Sequence, residues 1–265
     1  MIGIRQPARL WGLARQLRLG WHSTANLFGS YYFGRRAALQ KFFPDTVVID
    51  LPEWGKIPLR TNPYDHVLLA RTFVRQDYLL EASGVRRILD LGANIGMATV
   101  YLSRLFPRAE IACVEPSPYN VPLLKRAVAL NGIRARVFEA AVGAESGTVD
   151  LYIAAHPECN SVYPVEDSLK VIPVPVMPVP QIMSEMGWDT IDVLKIDIEG
   201  AEKDVLRRNN SWLRNVRVIT GESHVNVGYP YADLQADLHA FGFALETVIP
   251  ETAEYGASFR GARQG

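Results

Sequence analysis

A tight glycine turn preceded by a carboxylate is the segment best suited to chemistry. Asp90-Leu91-Gly92-Ala93-Asn94-Ile95-Gly96 runs out of the apolar pair Ile88-Leu89 and toward a helical pattern. Gly92 and Gly96 let the backbone approach a ligand closely, and a helix start offers free N–H groups. Glu115 ends the next apolar run, where a carboxylate faces a ribose bound across the first turn and can accept both sugar hydroxyls. A dinucleotide fingerprint needs a glycine where Asn94 stands, because a pyrophosphate must come close there. The pattern Asp90-x-Gly92-x-x-x-Gly96 instead suits a cofactor with no pyrophosphate and a cationic amino-acid end, a description that S-adenosylmethionine meets. The plain alternative is a strand–turn–helix with incidental glycines, and the placement of Glu115 argues against it.

A second group of polar residues follows two later apolar runs. Lys195, Asp197 and Glu199 alternate at the end of Ile191–Ile196, and Glu222 and His224 repeat that spacing after Val216–Gly221. Carboxyl ends of neighbouring parallel strands open into one crevice, so Asp197, Glu199, Glu222 and His224 should converge beside the turn. Two chemistries fit them. His224, Asp197 or Glu199 can act as the general base that takes the proton of an acceptor hydroxyl. Alternatively Asp197, Glu222 and His224 can bind a divalent metal, and mixed carboxylate and imidazole ligands suit Zn²⁺, Mn²⁺ or Fe²⁺ better than Mg²⁺. The metal-free base is the favoured reading. Each residue also has a structural alternative: Asp197 bonding backbone, Glu199 capping the next helix, Glu222 pairing with Lys195 or an arginine, His224 as an ordinary loop residue.

These groups require a frame that brings strand ends together. From Val85 onward, strands alternate with helices, which implies a doubly wound, mostly parallel α/β sheet with helices on both faces. Strands are expected at Arg87–Leu91, Glu110–Val114, Arg134–Val142, Gly147–Ala154, Ile191–Ile196, Val216–Gly221 and, as the closing strand, Phe243–Ile249. Val171–Val179 alternates with prolines, so it reads as an edge strand or an extended connector. Helices are expected at Gly96–Phe106, Pro118–Asn131, Ala201–Arg208 and Tyr231–Phe241. Ahead of this domain (85–250) lie a basic helical extension (1–44) and a connector (45–84) with a strand at Thr46–Leu51 and a cover helix at Tyr64–Ala82. Residues 251–265 read as a polar, frayed tail.

The runs Asp90-Leu91-Gly92-Ala93-Asn94-Ile95-Gly96, Val114-Glu115-Pro116 and Lys195-Ile196-Asp197-Ile198-Glu199-Gly200-Ala201-Glu202 together resemble the FkbM family of class I methyltransferases. The resemblance covers about Val85 to Phe243, and its last run is the most family-specific part. It implies a Rossmann-like fold and S-adenosylmethionine as methyl donor. Asp90, Gly92, Asn94, Gly96 and Glu115 would hold the donor, and the main chain of Ala141, at the end of the third strand, would meet its adenine. It also implies O-methylation of a sugar, glycan or secondary metabolite, and an Asn160-Ser161 loop touching substrate or cofactor. The family's Leu-Asp pair before the fourth strand is replaced here by Val179-Pro180-Gln181, so no role carries over to that stretch. A nicotinamide-dependent reductase and a catalytically silent fold partner are the rival classes.

Composition limits the partners. The chain has 28 basic and 28 acidic residues, which gives no support to nucleic-acid binding. Seven basic residues (Arg5, Arg9, Arg15, Arg18, Arg35, Arg36, Lys41) and no acidic one precede Asp45, leaving 21 basic against 28 acidic in the remainder. That basic, aromatic-rich extension reads either as a packing element or as a surface for peripheral contact with an anionic membrane. Two cysteines, Cys113 in a strand and Cys159 in a loop, are too few for a disulfide framework. With no apolar run of spanning length and no compact signal block, a cytoplasmic location is expected.

Overall fold

The computed structural model describes residues 5–36, 39, 42–154, 160–164, 168–225, 228–252 and 256–264. Its centre is a seven-stranded sheet. The strands are β3 (Arg87–Leu91), β4 (Glu110–Val114), β5 (Ala135–Phe138), β9 (Ile191–Ile196), β10 (Val216–Glu222), β11 (Phe243–Ile249) and β12 (Ser258–Arg263), in the order β11-β12-β10-β9-β3-β4-β5. β3, β4, β5, β9 and β10 pair in parallel, while β12 runs antiparallel between β10 and β11. The expected doubly wound sheet is present, and its strand order reverses beside β3, where the glycine turn leaves the sheet.

The central strands are buried on both faces, so they read as nearly unbroken apolar runs. Ile88, Ile111, Cys113, Val193 and Val218 face one core, and Leu89, Leu91, Ala112, Val114, Leu194, Ile196 and Ile219 face the other. The first core is closed by α1 (Arg5–Gln16), α2 (Trp21–Gly34), α4 (Met97–Leu105), α5 (Val121–Leu130) and the hairpin β1 (Thr46–Leu51)–β2 (Gly55–Arg60). The second is closed by α6 (Val179–Met186), α7 (Glu202–Arg207) and α8 (Tyr231–His239). Leu10, Leu13 and Leu27 of the first two helices and Leu17 between them are buried, whereas Trp11 and Trp21 are 57% and 83% exposed. No described helix is long and apolar enough to cross a membrane.

Five local expectations change. The cover helix is only α3 (Asp65–Ala70) plus a π turn at Arg71–Arg75; Gln76 at φ +59° stops it, and the chain then runs out irregularly. Pro58 lies within β2 and not in an irregular connector, which is allowed because each strand of a two-stranded sheet has an open edge. The single strand expected at Arg134–Val142 is two: β5 in the main sheet, then β6 (Ala141–Val142) in a separate three-stranded sheet with β8 (Ser168–Met177) and β7 (Gly147–Ala154). Pro173 and Pro175 sit in β8 before β6 joins it at Val176, so their missing N–H groups break no ladder. Val179–Met186 is a helix, started by Pro180 near its N-terminus. The tail is not frayed at Ser258–Arg263: it enters the sheet as β12, with Ser258 and Phe259 buried. Its polar composition hid this, since backbone pairing on both sides holds it. Cys159 and His156 lie outside the described residues.

Candidate active site

The carboxyl ends of β3, β4 and β9 open into a cleft. Among the residues expected to hold a cofactor, Gly92, Asn94, Glu115 and Ala141 line it. Gly92 has φ +74°, and a Cβ there would lie 1.8 Å from the Asp197 carbonyl oxygen, so the turn passes directly against the end of β9. Its N–H and that of Ala93 both donate to Val114 O at 3.0 Å, which ties the turn to β4. Gly96 supports the turn from behind. At φ +92° it starts α4, and a Cβ there would stand 3.0 Å from Leu124.

Glu115 is buried at the cleft wall. Its carboxylate accepts from Asn94 N (2.8 Å), Ser117 N (2.9 Å) and Asn120 Nδ2 (3.1 Å). Burial raises its pKa above the usual glutamate value, and those three donors work against the rise. Asn120 is in turn held by Arg60 Nη1 at 2.7 Å, and Arg60 pairs with buried Asp65 at 2.7 Å. The connector thus reaches the Glu115 carboxylate through two side chains that carry no local sequence signal. Asn94 Oδ1, also at the cleft, is buried without a hydrogen-bond partner.

Asp90 and Gly96, also expected to hold a cofactor, are not among the cleft-lining residues. Asp90 is fully buried beneath the turn, accepting from Thr99 Oγ1 at 2.6 Å and ion-paired with Lys195 Nζ at 3.2 Å. Lys195 also donates to Gly92 O (2.6 Å) and Leu91 O (3.1 Å). Burial opposes the ammonium charge, but Asp90 and Asp197 outweigh it and hold the lysine pKa above its usual value. Asp90 therefore acts on the turn through Lys195, clamping the carbonyls of Leu91 and Gly92.

Beyond the turn, Asp197 and Glu199 line the cleft. Asp197 Oδ2 accepts from Tyr78 OH at 2.9 Å. Burial would raise the Asp197 pKa, yet Lys195, His224 and Arg71 hold it below the ordinary value. Glu199 has φ +53°, and Ser161 Oγ donates to its carbonyl at 2.7 Å, so the Asn160-Ser161 loop supports it. Asn160 also lines the cleft. His224 stands behind the two carboxylates and does not line the cleft. Its Nε2 lies 3.7 Å from Asp197 and 3.5 Å from Glu199, and its Nδ1 lies 3.0 Å from Glu202. Burial lowers the tendency of His224 to protonate, but Glu202 and Glu199 raise its pKa well above the usual histidine value.

Glu222 does not join this group. Its carboxylate pairs with Arg71 of the π turn, so the metal set Asp197, Glu222 and His224 does not assemble; Asp197, Glu199 and His224 do. Burial and Asp197 together keep the Glu222 pKa above normal despite Arg71. Sequence reasoning passed over Glu202, although it stood inside the most specific motif. It is fully buried and accepts from Ile198 N (2.8 Å) and Gly200 N (2.9 Å), so it ties down the loop before α7, and no side chain gives that helix the cap expected of Glu199. Tyr78 and Arg71 were also missed, because nothing near them in the chain points to a site.

Comparison with known proteins agrees with this geometry. The model for the methyltransferase FkbM domain matches residues 90–245. Methyltransferase sdnD of Sordaria araneosa is 29% identical over 173 residues, covering 51% of this chain and 66% of its own. The 31-O-demethyl-FK506 methyltransferase FkbM of Streptomyces tacrolimicus is 26% identical over 220 residues, 71% of this chain and 82% of its own. The crystal structure of methyltransferase FkbM from Methylobacillus flagellatus superposes on 97% of this chain and 59% of its own, with TM-score 0.53 and 15% identity, a likeness of fold. The chain thus spans just under two thirds of the first relative and less of the solved structure. With more than half of its length inside that domain and the Asp197-to-Glu202 motif built into the cleft wall, this chain belongs to the FkbM methyltransferase family.

Proposed function

We propose that the protein transfers a methyl group from S-adenosylmethionine to a hydroxyl of a sugar, glycan or secondary metabolite. The observation that carries this reading is Glu115, a buried carboxylate on the wall of a cleft whose floor is the Gly92 turn. The cleft fits the donor by its own chemistry. Glu115 can accept ribose hydroxyls, the unpartnered Asn94 Oδ1 can accept from an ammonium group, and Ala140 and Ala141 leave room for a flat base. When bound, S-adenosylmethionine supplies an electrophilic methyl group whose S–C electron pair stays on sulfur as the new O–C bond forms. Asp197 and Glu199 stand where an acceptor's O–H would enter, its proton leaving to one of these carboxylates or to water as the O–C bond forms, and His224 with Glu202 fixes their positions. Orientation in the cleft supplies much of the acceleration. The name of the Streptomyces relative, an O-demethyl substrate methyltransferase, supports oxygen as the acceptor atom.

Calorimetry with S-adenosylhomocysteine tests the donor. Binding is expected, and Glu115→Ala should weaken it by about 1–3 kcal/mol, the cost of losing hydrogen bonds to a charged group. Binding of NADPH with no heat from either S-adenosyl compound would sink the reading.

A second proposal concerns the N-terminal face. Trp11 and Trp21 are the most exposed tryptophans of the first two helices, beside exposed Arg9 and Arg15. Aromatic rings flanked by basic residues suit an anionic membrane interface. The protein should co-sediment with phosphatidylserine-containing vesicles and be released by salt, whereas Trp11→Ser/Trp21→Ser protein should stay in solution. Equal behaviour of the two proteins would leave these helices a packing role only.

A further inference from the structure

We infer that Asp197, Glu199 and His224 form a divalent-cation site at the acceptor end of the cleft. The chemical use of that site rests on the methyl-transfer reading above, but its existence does not. One ligand atom from each residue lies within 4.8 Å of the others. His224 Nε2 stands 3.5 Å from Glu199 Oε2 and 3.7 Å from Asp197 Oδ1. Metal–ligand bonds of about 2.0–2.2 Å separate neighbouring ligand atoms by roughly 3–3.5 Å, close to the two His224 distances.

The atoms that would not bind the ion are already engaged elsewhere. Asp197 Oδ2 takes the Tyr78 hydroxyl at 2.9 Å, leaving Oδ1 toward His224. His224 Nδ1 faces Glu202 Oε1 at 3.0 Å, and Glu202 is pinned by the N–H groups of Ile198 and Gly200 at 2.8 and 2.9 Å. Buried Glu202 holds the Nδ1 proton and turns Nε2 toward the two acids, where an ion would take the place of the Nε2 proton, as outer carboxylates orient metal-binding histidines. The fixed cations nearby are committed: Lys195 pairs with Asp90, and Arg71 pairs with Glu222 and Asp77. Among the described residues, no lysine or arginine forms a direct ion pair with Asp197 or Glu199; His224 is the cationic side chain within 4 Å of both.

One imidazole and two carboxylates favour Mn²⁺, Zn²⁺ or Fe²⁺. Because Asp197 and Glu199 line the cleft, such an ion would meet an acceptor hydroxyl directly. It would lower the hydroxyl's pKa, so that the proton passes to water and the oxygen lone pair is free to attack the methyl carbon.

The test is Mn²⁺ titration of the EDTA-treated full chain, made without a His tag and followed by electron paramagnetic resonance and calorimetry. Wild type should bind a single Mn²⁺ per chain. Asp197→Asn and His224→Ala should lose it, Glu202→Gln should weaken it by about 10–100-fold, and Glu222→Gln should retain it. Each variant is first checked for a cooperative thermal melt, and Asp197→Asn preserves shape if His224→Ala does not fold. No binding of Mn²⁺ or Zn²⁺ by wild type, or binding unchanged in the folded ligand variants, overturns the inference. S-adenosylhomocysteine titrated into the same samples separates the two readings. Its binding without Mn²⁺ removes the cation site alone, and Mn²⁺ binding without it removes the donor reading alone.

Discussion

The two halves of the cleft differ in where their supports come from. In the glycine-turn half, Glu115 is held by Asn94, Ser117 and Asn120, the farthest 21 residues away. In the strand-end half, Asp197 is held by Tyr78 across 119 residues, and Glu222 by Arg71 across 151. The first is a mostly local strand–turn–helix unit, to which the connector adds Arg60 behind Asn120. The second exists only when the connector docks on the sheet, so substitutions there can alter the acceptor end and leave the turn intact.

Lys195 is a second distant support of the turn half and offers the strongest way to break the comparison. It reaches the turn across 103 residues and neutralises Asp90 in a fully buried setting. Lys195→Met should cost about 3–5 kcal/mol of unfolding free energy in urea, because an uncompensated charge is left buried. Adding Asp90→Asn should recover part of that loss. An unchanged midpoint would mean that the turn half needs no distant support at all.

Gly92→Ala probes the seam between the halves. A Cβ would meet backbone of Asp197 on a residue at φ +74°, and neither partner is a side chain that can swing away. The expected cost is about 2–4 kcal/mol, from overpacking and left-handed strain together. Thermal melts measure it, and a native melting temperature would show that β3 and β9 can separate at their ends.

Tyr78→Phe sharpens the comparison without threatening the fold. Losing one hydrogen bond to Asp197 should reduce turnover by about 3–10-fold, equivalent to roughly 0.5–1.5 kcal/mol. Affinity for S-adenosylhomocysteine should stay the same. Equal loss of both would show that the halves are coupled.

The smallest effect lies at the opposite end of the same strands. Burial would raise the Asp192 pKa, but it accepts from the N–H groups of Arg86 and Arg87 and from Arg217, which hold it below the ordinary value near 3.8. A depressed folded pKa contributes stability above the unfolded value and loses it as pH falls through the folded value. Stability of the wild type should therefore drop below about pH 4 more steeply than that of Asp192→Asn, as read from urea midpoints across that range.

The alternating strands and helices from Val85 to Ile249 were legible because each is written in a local hydrophobic period, and the glycine turn because its backbone geometry demands glycine at Gly92 and Gly96. Glu115 was legible for the same reason, since a parallel sheet fixes where the end of its second strand points. The N-terminal helices and the strand at Thr46–Leu51 could also be read locally. Strand β12 could not, because a polar segment becomes a strand only when two neighbours offer their backbone edges. Nor could the division of labour among the acids: Asp90 beneath the floor, Glu202 as the brace of His224, Glu222 drawn off by Arg71. A carboxylate's role depends on which cation or donor lies within about 3 Å, and a hydrogen bond is that short whatever the chain length between its partners. Sequence determined which residues could do chemistry at this crevice. Only the packing of the connector and of the crossover after β9 decided which of them face it, because those contacts join positions whose separation leaves no periodic trace.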